Sequence, residues 1–245
     1  MEKRGQLSIF LLLILVLLIA AAFVLYFNPE EVTDVKKTTE SSFDIAPIRV
    51  YFDACIDSIA QDSLILFGLQ SGNMGAYDAD GDAVFLVFPY YKNGENVAPL
   101  INVLENDYSS YLEKHLPSCT QNTDFPGYDI KLGKVNVDAS FQENVVVLLV
   151  DYPLTISSKS SKTEIRRFDR TYPVRMGHIY SLANSIVDKF VKNPDEIEYS
   201  YLMQFEENEF TIIPYSENYF MMSIKDSKSE LKSRKYNFVF GLVFE

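Results

Sequence analysis

LSIFLLLILVLLIAAAFVLYF, Leu7 to Phe27, contains no charged residue, and Lys3 and Arg4 stand just ahead of it. As a helix rising about 1.5 Å per residue it is roughly 30 Å long, the thickness of a bilayer's hydrocarbon core. A secretory signal peptide would have a shorter apolar run with small residues at a cleavage site, whereas Phe23, Val24, Leu25, Tyr26 and Phe27 offer none. A buried core helix is the other alternative, but Leu11 to Ala22 is apolar on every side. The expected element is a single transmembrane helix. Lys3 and Arg4 hold its N-terminus in the cytoplasm and place the residues after Asn28 outside, with Phe23, Tyr26 and Phe27 at the outer interface.

Outward from that run, Lys3-Arg4-Gly5-Gln6-Leu7-Ser8 resembles the start of archaeal type IV pilin-like proteins with class III signal peptides. The resemblance implies that a prepilin-type peptidase cuts between Gly5 and Gln6, so that residues 1–5 are a leader and 6–28 a retained stem. It also implies that stems pack with copies of themselves or with other pilin-like subunits. Many pilins carry Glu at the fifth mature position, where this chain has Phe10, so a carboxylate that fixes register between stems is missing. The alternative is an uncleaved signal anchor oriented by Lys3 and Arg4.

Of the 245 residues, those beyond the anchor suffice for one good core or two small ones. A net charge of −12 excludes nucleic acid and anionic lipid headgroups as expected partners, leaving the bilayer itself for the apolar run. Cys55 and Cys119 are the two cysteines. On an oxidising outer face they are expected to pair, with two buried thiols as the alternative, and a loop of that length would stabilise the fold by about 4 kcal/mol.

Residues 29–43 are polar and read as a juxtamembrane linker, and the folded domain is expected over 44–245. Asp44 and Pro47 signal a helix start. Ile48, Phe52, Cys55, Ile59 and Leu66 then recur on one face, with Gly68 and Gly72 at the end. Asp78, Asp80 and Asp82 alternate like the opening of an EF-hand loop, but Ala83 and Pro89 occupy the positions that need Gly and Glu, so an acidic turn is preferred to a calcium site. Val84 to Tyr91 suits a central strand whose end Pro89 places at an edge or a bulge, and Asn93-Gly94 turns the chain. Leu100, Ile101, Leu104, Tyr108, Tyr111, Leu112 and Leu116 mark a second helix stopped by Pro117.

From Tyr128 the period changes to two. Ile130 and Leu132 alternate in one phase, then Val135, Val137, Ala139 and Phe141 in the other, with a bulge expected at Gly133. Val145 to Ile156 and Ile165 to Tyr172 follow as strands, the latter carrying Arg166, Arg167 and Arg170 on an expected solvated face that pairs with local acids, with a docking patch as the alternative. Pro173 opens a third helix through Met176, Ile179, Ala183, Ile186, Val187 and Phe190. The remainder reads as a meander of Tyr199 to Phe205, Phe210 to Tyr215, Tyr219 to Lys225 and Tyr236 to Phe244, with Lys228 to Lys235 as a charged loop. The expected fold class is α+β: about three amphipathic helices and a mainly antiparallel sheet, with a possible lobe boundary near 120–127. This order of elements again resembles pilin-like membrane proteins of archaea.

Gly-x-Ser-x-Gly, His-Glu-x-x-His, phosphate-binding Gly-rich loops and Cys-x-x-Cys are absent from the sequence. His115 and His178 are the two histidines, each beside an apolar stripe where a structural role is expected. No catalytic residue, metal or cofactor is expected. The expected function is a surface-exposed structural or adhesion protein, with a signal-anchored receptor or adhesin as the alternative and a tethered carboxylate hydrolase behind both. For the receptor or adhesin alternative, binding is expected from exposed members of the stock of 16 Tyr and 18 Phe, most of which are expected in the core.

Overall fold

In the computed structural model, which describes residues 44–74, 87–120, 124–159, 161–194 and 199–244, the Asp44 carboxylate accepts the Ala46 N–H at 3.0 Å and Pro47 sits in the first turn of α1 (Ala46–Leu69). Its buried seam is Ile48, Phe52, Ile56, Ala60 and Leu64, joined by Ser63 and Phe67. The expected stripe included Cys55, Ile59 and Leu66; they are half-buried on the flank. Steps of four drift by about 40° each round a helix of 3.6 residues per turn, so the seam winds. The N-terminal half of α1 faces one sheet and the C-terminal half another. Phe52 meets Tyr152 edge-on at 6.1 Å in the first, and the Leu64 carbonyl accepts the Tyr236 hydroxyl at 3.0 Å in the second.

The spine of the first sheet is β5 (Val146–Ser157), whose Val146, Leu148, Val150, Tyr152, Leu154 and Ile156 are buried in strict alternation. Along one side run β3 (Asp129–Leu132) and β4 (Asn136–Phe141), and along the other β6 (Lys162–Arg167) and β7 (Arg170–Tyr172), all antiparallel to it. Gly133 breaks the first flank as expected of a bulge. Its N–H donates to the Pro153 carbonyl at 2.7 Å, and a Cβ there would lie 2.8 Å from the Pro153 Cβ. The helix α2 (Ile101–His115) buries Leu104, Tyr108 and Leu112 and lies along β4. Pro117 tightens its exit into a 3₁₀ turn, Leu116–Thr120, which carries Cys119 to Cys55.

The second sheet contains β1 (Pro89–Lys92), β2 (Glu95–Asn96), β8 (Asn208–Pro214), β9 (Tyr219–Leu231) and β10 (Arg234–Val243), in the order β2-β1-β10-β9-β8. Every pairing is antiparallel except β1 with β10. The register shifts between Pro89 and Tyr91, where proline cannot donate to the ladder. An interior place for β10 explains why it is apolar on both faces. The helix α3 (Met176–Lys192) packs on this sheet, with Phe190 6.0 Å from Tyr91. One core cluster joins both sheets and the helices, from Ile48 to Leu242.

The expected strand Ile165 to Tyr172 is broken at Phe168 and Asp169 into β6 and β7, and two further expectations fail. Tyr199 to Phe205 is not a strand: Tyr199–Leu202 forms a short helix, α4, because Leu202 is the side chain that goes inward while Tyr199 and Met203 stay exposed. Lys228 to Lys235 is not a loop either. β9 runs to Leu231, a tight turn at Lys232 and Ser233 with φ of 48° and 60° reverses the chain, and β10 begins at Arg234. The charges of Lys228 and Glu230 lie on the solvent side while Ser229 and Leu231 point in.

The described fold is thus α+β and mostly antiparallel. Leu7 to Phe27, Lys3, Arg4, Gly5, Gln6, Asp78, Asp80 and Asp82 lie outside the described residues. Among the described residues no helix is long and apolar enough to cross a membrane.

Candidate functional site: a groove beside an open sheet edge

After α3 the chain makes α4, turns back at Phe205, whose carbonyl accepts the Asn208 N–H at 2.9 Å, and enters β8 at the margin of the second sheet. Phe205 stands edge-on to Tyr201 at 5.3 Å and to Phe210 at 6.5 Å, which holds α4 over the strand. The Lys189 ammonium lies 4.7 Å from the Tyr201 ring centre and ties α4 to α3. Between α4 and β8 is a groove of about 510 Å³, walled by Tyr199, Leu202, Met203, Phe205, Phe210 and Ile212. Tyr199 is 64% exposed and Met203 79%.

Its polar groups are few. Asn208 is only 8% exposed, yet among the described residues neither its amide nitrogen nor its amide oxygen has a hydrogen-bond partner. An amide at such a depth gains about 1–3 kcal/mol from being paired, so a group offering both a donor and an acceptor is favoured there. Glu206 lies at the mouth, exposed and in no ion pair among the described residues.

The phase of β8 decides what its edge presents. Tyr215 N–H donates to the Tyr219 carbonyl, and Ser227 N–H donates to the Glu207 carbonyl, in line with the register that pairs Thr211 with Ser223. In an antiparallel ladder these alternate. Glu209, Thr211 and Ile213 therefore turn their backbone groups toward β9, and Phe210 and Ile212 turn theirs outward. The side chains of Phe210 and Ile212 are half-buried on the groove side.

Behind the groove, an ionic clamp fixes the turn that carries Glu206 and Asn208. Arg175 grips Asp226 with two hydrogen bonds, Nε to Oδ2 at 3.0 Å and Nη2 to Oδ1 at 2.6 Å, and reaches Glu207 at 2.7 Å. Asp226 has no exposed surface. Burial pushes its carboxyl upward, but Arg175, the Ser229 hydroxyl and the Lys228 N–H outweigh that and hold it below the usual carboxylate range. Hydrogen bonds from Lys228 and Arg175 hold Glu207 low as well. His178 closes the network, with Nδ1 3.1 Å from Glu143 and Nε2 3.7 Å from Glu207. Both central carboxylates are engaged by cations, which suits an anchor.

Cys55 and Cys119 form a disulfide, Cα to Cα 5.9 Å, tying the flank of α1 to the exit of α2. His115 Nδ1 lies 2.7 Å from the Tyr111 carbonyl and its ring stacks on Tyr111 at 3.8 Å. Arg166 pairs with Asp151 and Arg170 with Asp53. Among the described residues no group of His, Cys, Asp or Glu is arranged to hold a metal ion. The sequence singles out neither Asn208 nor Glu206, which fall between the expected strands Tyr199 to Phe205 and Phe210 to Tyr215. The available signal was the alternation of Phe210 and Ile212 directly behind an aromatic-rich stretch.

Compared with protein-family models, with curated proteins and with solved structures, the chain matches none.

Proposed function

We propose that this protein is a membrane-anchored, surface-exposed structural or adhesion protein of pilin-like design. The observation that carries the reading is the uncharged run of Leu7 to Phe27 behind Lys3-Arg4-Gly5-Gln6. In this reading residues 6–28 are a stem inserted N-terminus inward, the leader is removed by a prepilin-type peptidase, and residues 44–245 stand outside the cell. The Cys55–Cys119 disulfide supports the outward placement, because disulfides persist in oxidising compartments and are rare in reducing ones. The groove between α4 and β8 supports a binding role for the outer domain.

The test labels intact cells with a membrane-impermeant amine reagent. Exposed lysines such as Lys131 and Lys134 become labelled and the protein partitions with the membrane or with sheared filaments. Labelling only after lysis would contradict the reading. Recovery of the protein in sheared filaments assigns the structural role, and recovery only in detergent extracts assigns the single-molecule adhesin.

A further inference from the structure

We propose that the β8 edge and the groove beside it bind an extended, basic segment of a partner protein, which adds to the second sheet as a further strand. The inference does not depend on whether the stem is cleaved or assembled.

Three observations converge on the site. The backbone N–H and C=O of Phe210 and Ile212 face outward, a template for one more strand. Asn208, nine-tenths buried, leaves both ends of its amide unpaired among the described residues at the groove. A primary amide with a free donor and a free acceptor matches a peptide group, which offers the complementary acceptor and donor. The apolar wall lies on the side of the strand where alternate side chains of an added strand would fall.

The other sheet shows what this protein does with an edge that is closed. The outward N–H groups of Val137, Ala139 and Phe141 on β4 are all accepted by side chains of α2, namely Glu113, Ser109 and Glu105. No described residue does the same for Phe210 and Ile212.

Charge selects the occupant. Glu206 at the mouth is unpaired among the described residues, and the chain carries −12 overall. A second copy would bring the same sign to the edge, whereas a segment with Lys or Arg would be drawn to it. The partner chemistry is therefore a short extended stretch with Val, Ile or Leu at alternate positions and a basic residue reaching Glu206.

The test uses the full chain in detergent micelles and a degenerate pool of nonapeptides, with Val, Ile or Leu alternating with Lys, Arg or Thr. Amide hydrogen exchange is read at Phe210 and Ile212. The pool is expected to slow exchange at both by about tenfold or more, and a pool with Glu for Lys and Arg to bind about tenfold more weakly. Ile212→Pro removes one outward N–H at an edge position that tolerates proline, and Asn208→Ala removes the amide; the first is expected to abolish the protection at Phe210 and the second at both residues. A pool with proline at its alternate positions supplies the same control without altering the protein. Unchanged exchange with the basic pool would overturn the proposal, as would protection that survives both variants. Protection already present without peptide, accompanied by a doubled mass in sedimentation, would assign the edge to a second copy and overturn it too.

Discussion

The Phe141 N–H donates to Glu105 Oε1 at 2.7 Å, across the gap between β4 and α2. Two more rungs repeat it at one-turn intervals along the helix: Ser109 Oγ accepts the Ala139 N–H at 3.0 Å and Glu113 Oε1 accepts the Val137 N–H at 2.9 Å. Positions four apart share a helix face, and alternate strand residues point to one edge, so the two periods mesh. The result is a sheet edge closed by side chains in place of a strand.

Glu105→Ala is therefore expected to destabilise the fold by about 1–3 kcal/mol, since it strands a part-buried backbone donor, while Glu105→Gln keeps an acceptor and costs less. Urea denaturation of the two variants checks the order. Equal losses would show that the charge, and not the acceptor, matters at this rung.

Reducing the Cys55–Cys119 bridge, or replacing both residues by Ser, is expected to lower stability by about 4 kcal/mol, because the cysteines lie 64 residues apart and the link restricts the unfolded chain. The denaturation midpoint with and without reductant measures it. An unchanged midpoint would mean that the half-buried Cys55 contributes by packing alone.

The Arg175–Asp226 pair predicts both a mutational and a pH effect. Arg175→Met leaves a fully buried carboxylate without its main partner and is expected to cost about 3–5 kcal/mol. Asp226 and Glu207 both titrate below their ordinary values. Their contribution is thus fully present above the unfolded carboxylate range, near pH 4, and is lost as pH falls through the lower folded values. Melting curves from pH 7 down to pH 2 should show wild type losing more stability in that acid window than Arg175→Met.

Much of this architecture is legible in the chain. Asp44 and Pro47 start α1, Pro117 ends α2, and Gly133 marks the break between β3 and β4, since each acts through local geometry that a sequence displays. Gly68 looks like a stop signal but serves another purpose. It lies inside α1, where a Cβ would approach the Asn237 carbonyl to 2.4 Å, a contact made by a strand 169 positions away. The strand end at Lys228 to Leu231 is hidden by its polar composition, because the buried Asp226 and Ser229 are paired with each other and with Arg175, a residue 51 positions before Asp226. The groove was least legible of all. Asn208 and Glu206 resemble any turn residues until α4 folds over β8 and encloses one of them.

Gly68→Ala is expected to destabilise by about 1–3 kcal/mol, since the added methyl must push α1 off β10. Its thermal midpoint should fall, whereas the ordinary helical preference for Ala over Gly would raise it.

The proposed function turns on the bond between Gly5 and Gln6, and the most direct measurement is the N-terminal residue of the protein isolated from its own membrane. Gln6 as the first residue, with Leu7 to Phe27 retained, is the predicted result. An intact Met1, or a start beyond Phe27, would contradict pilin-like processing of the stem.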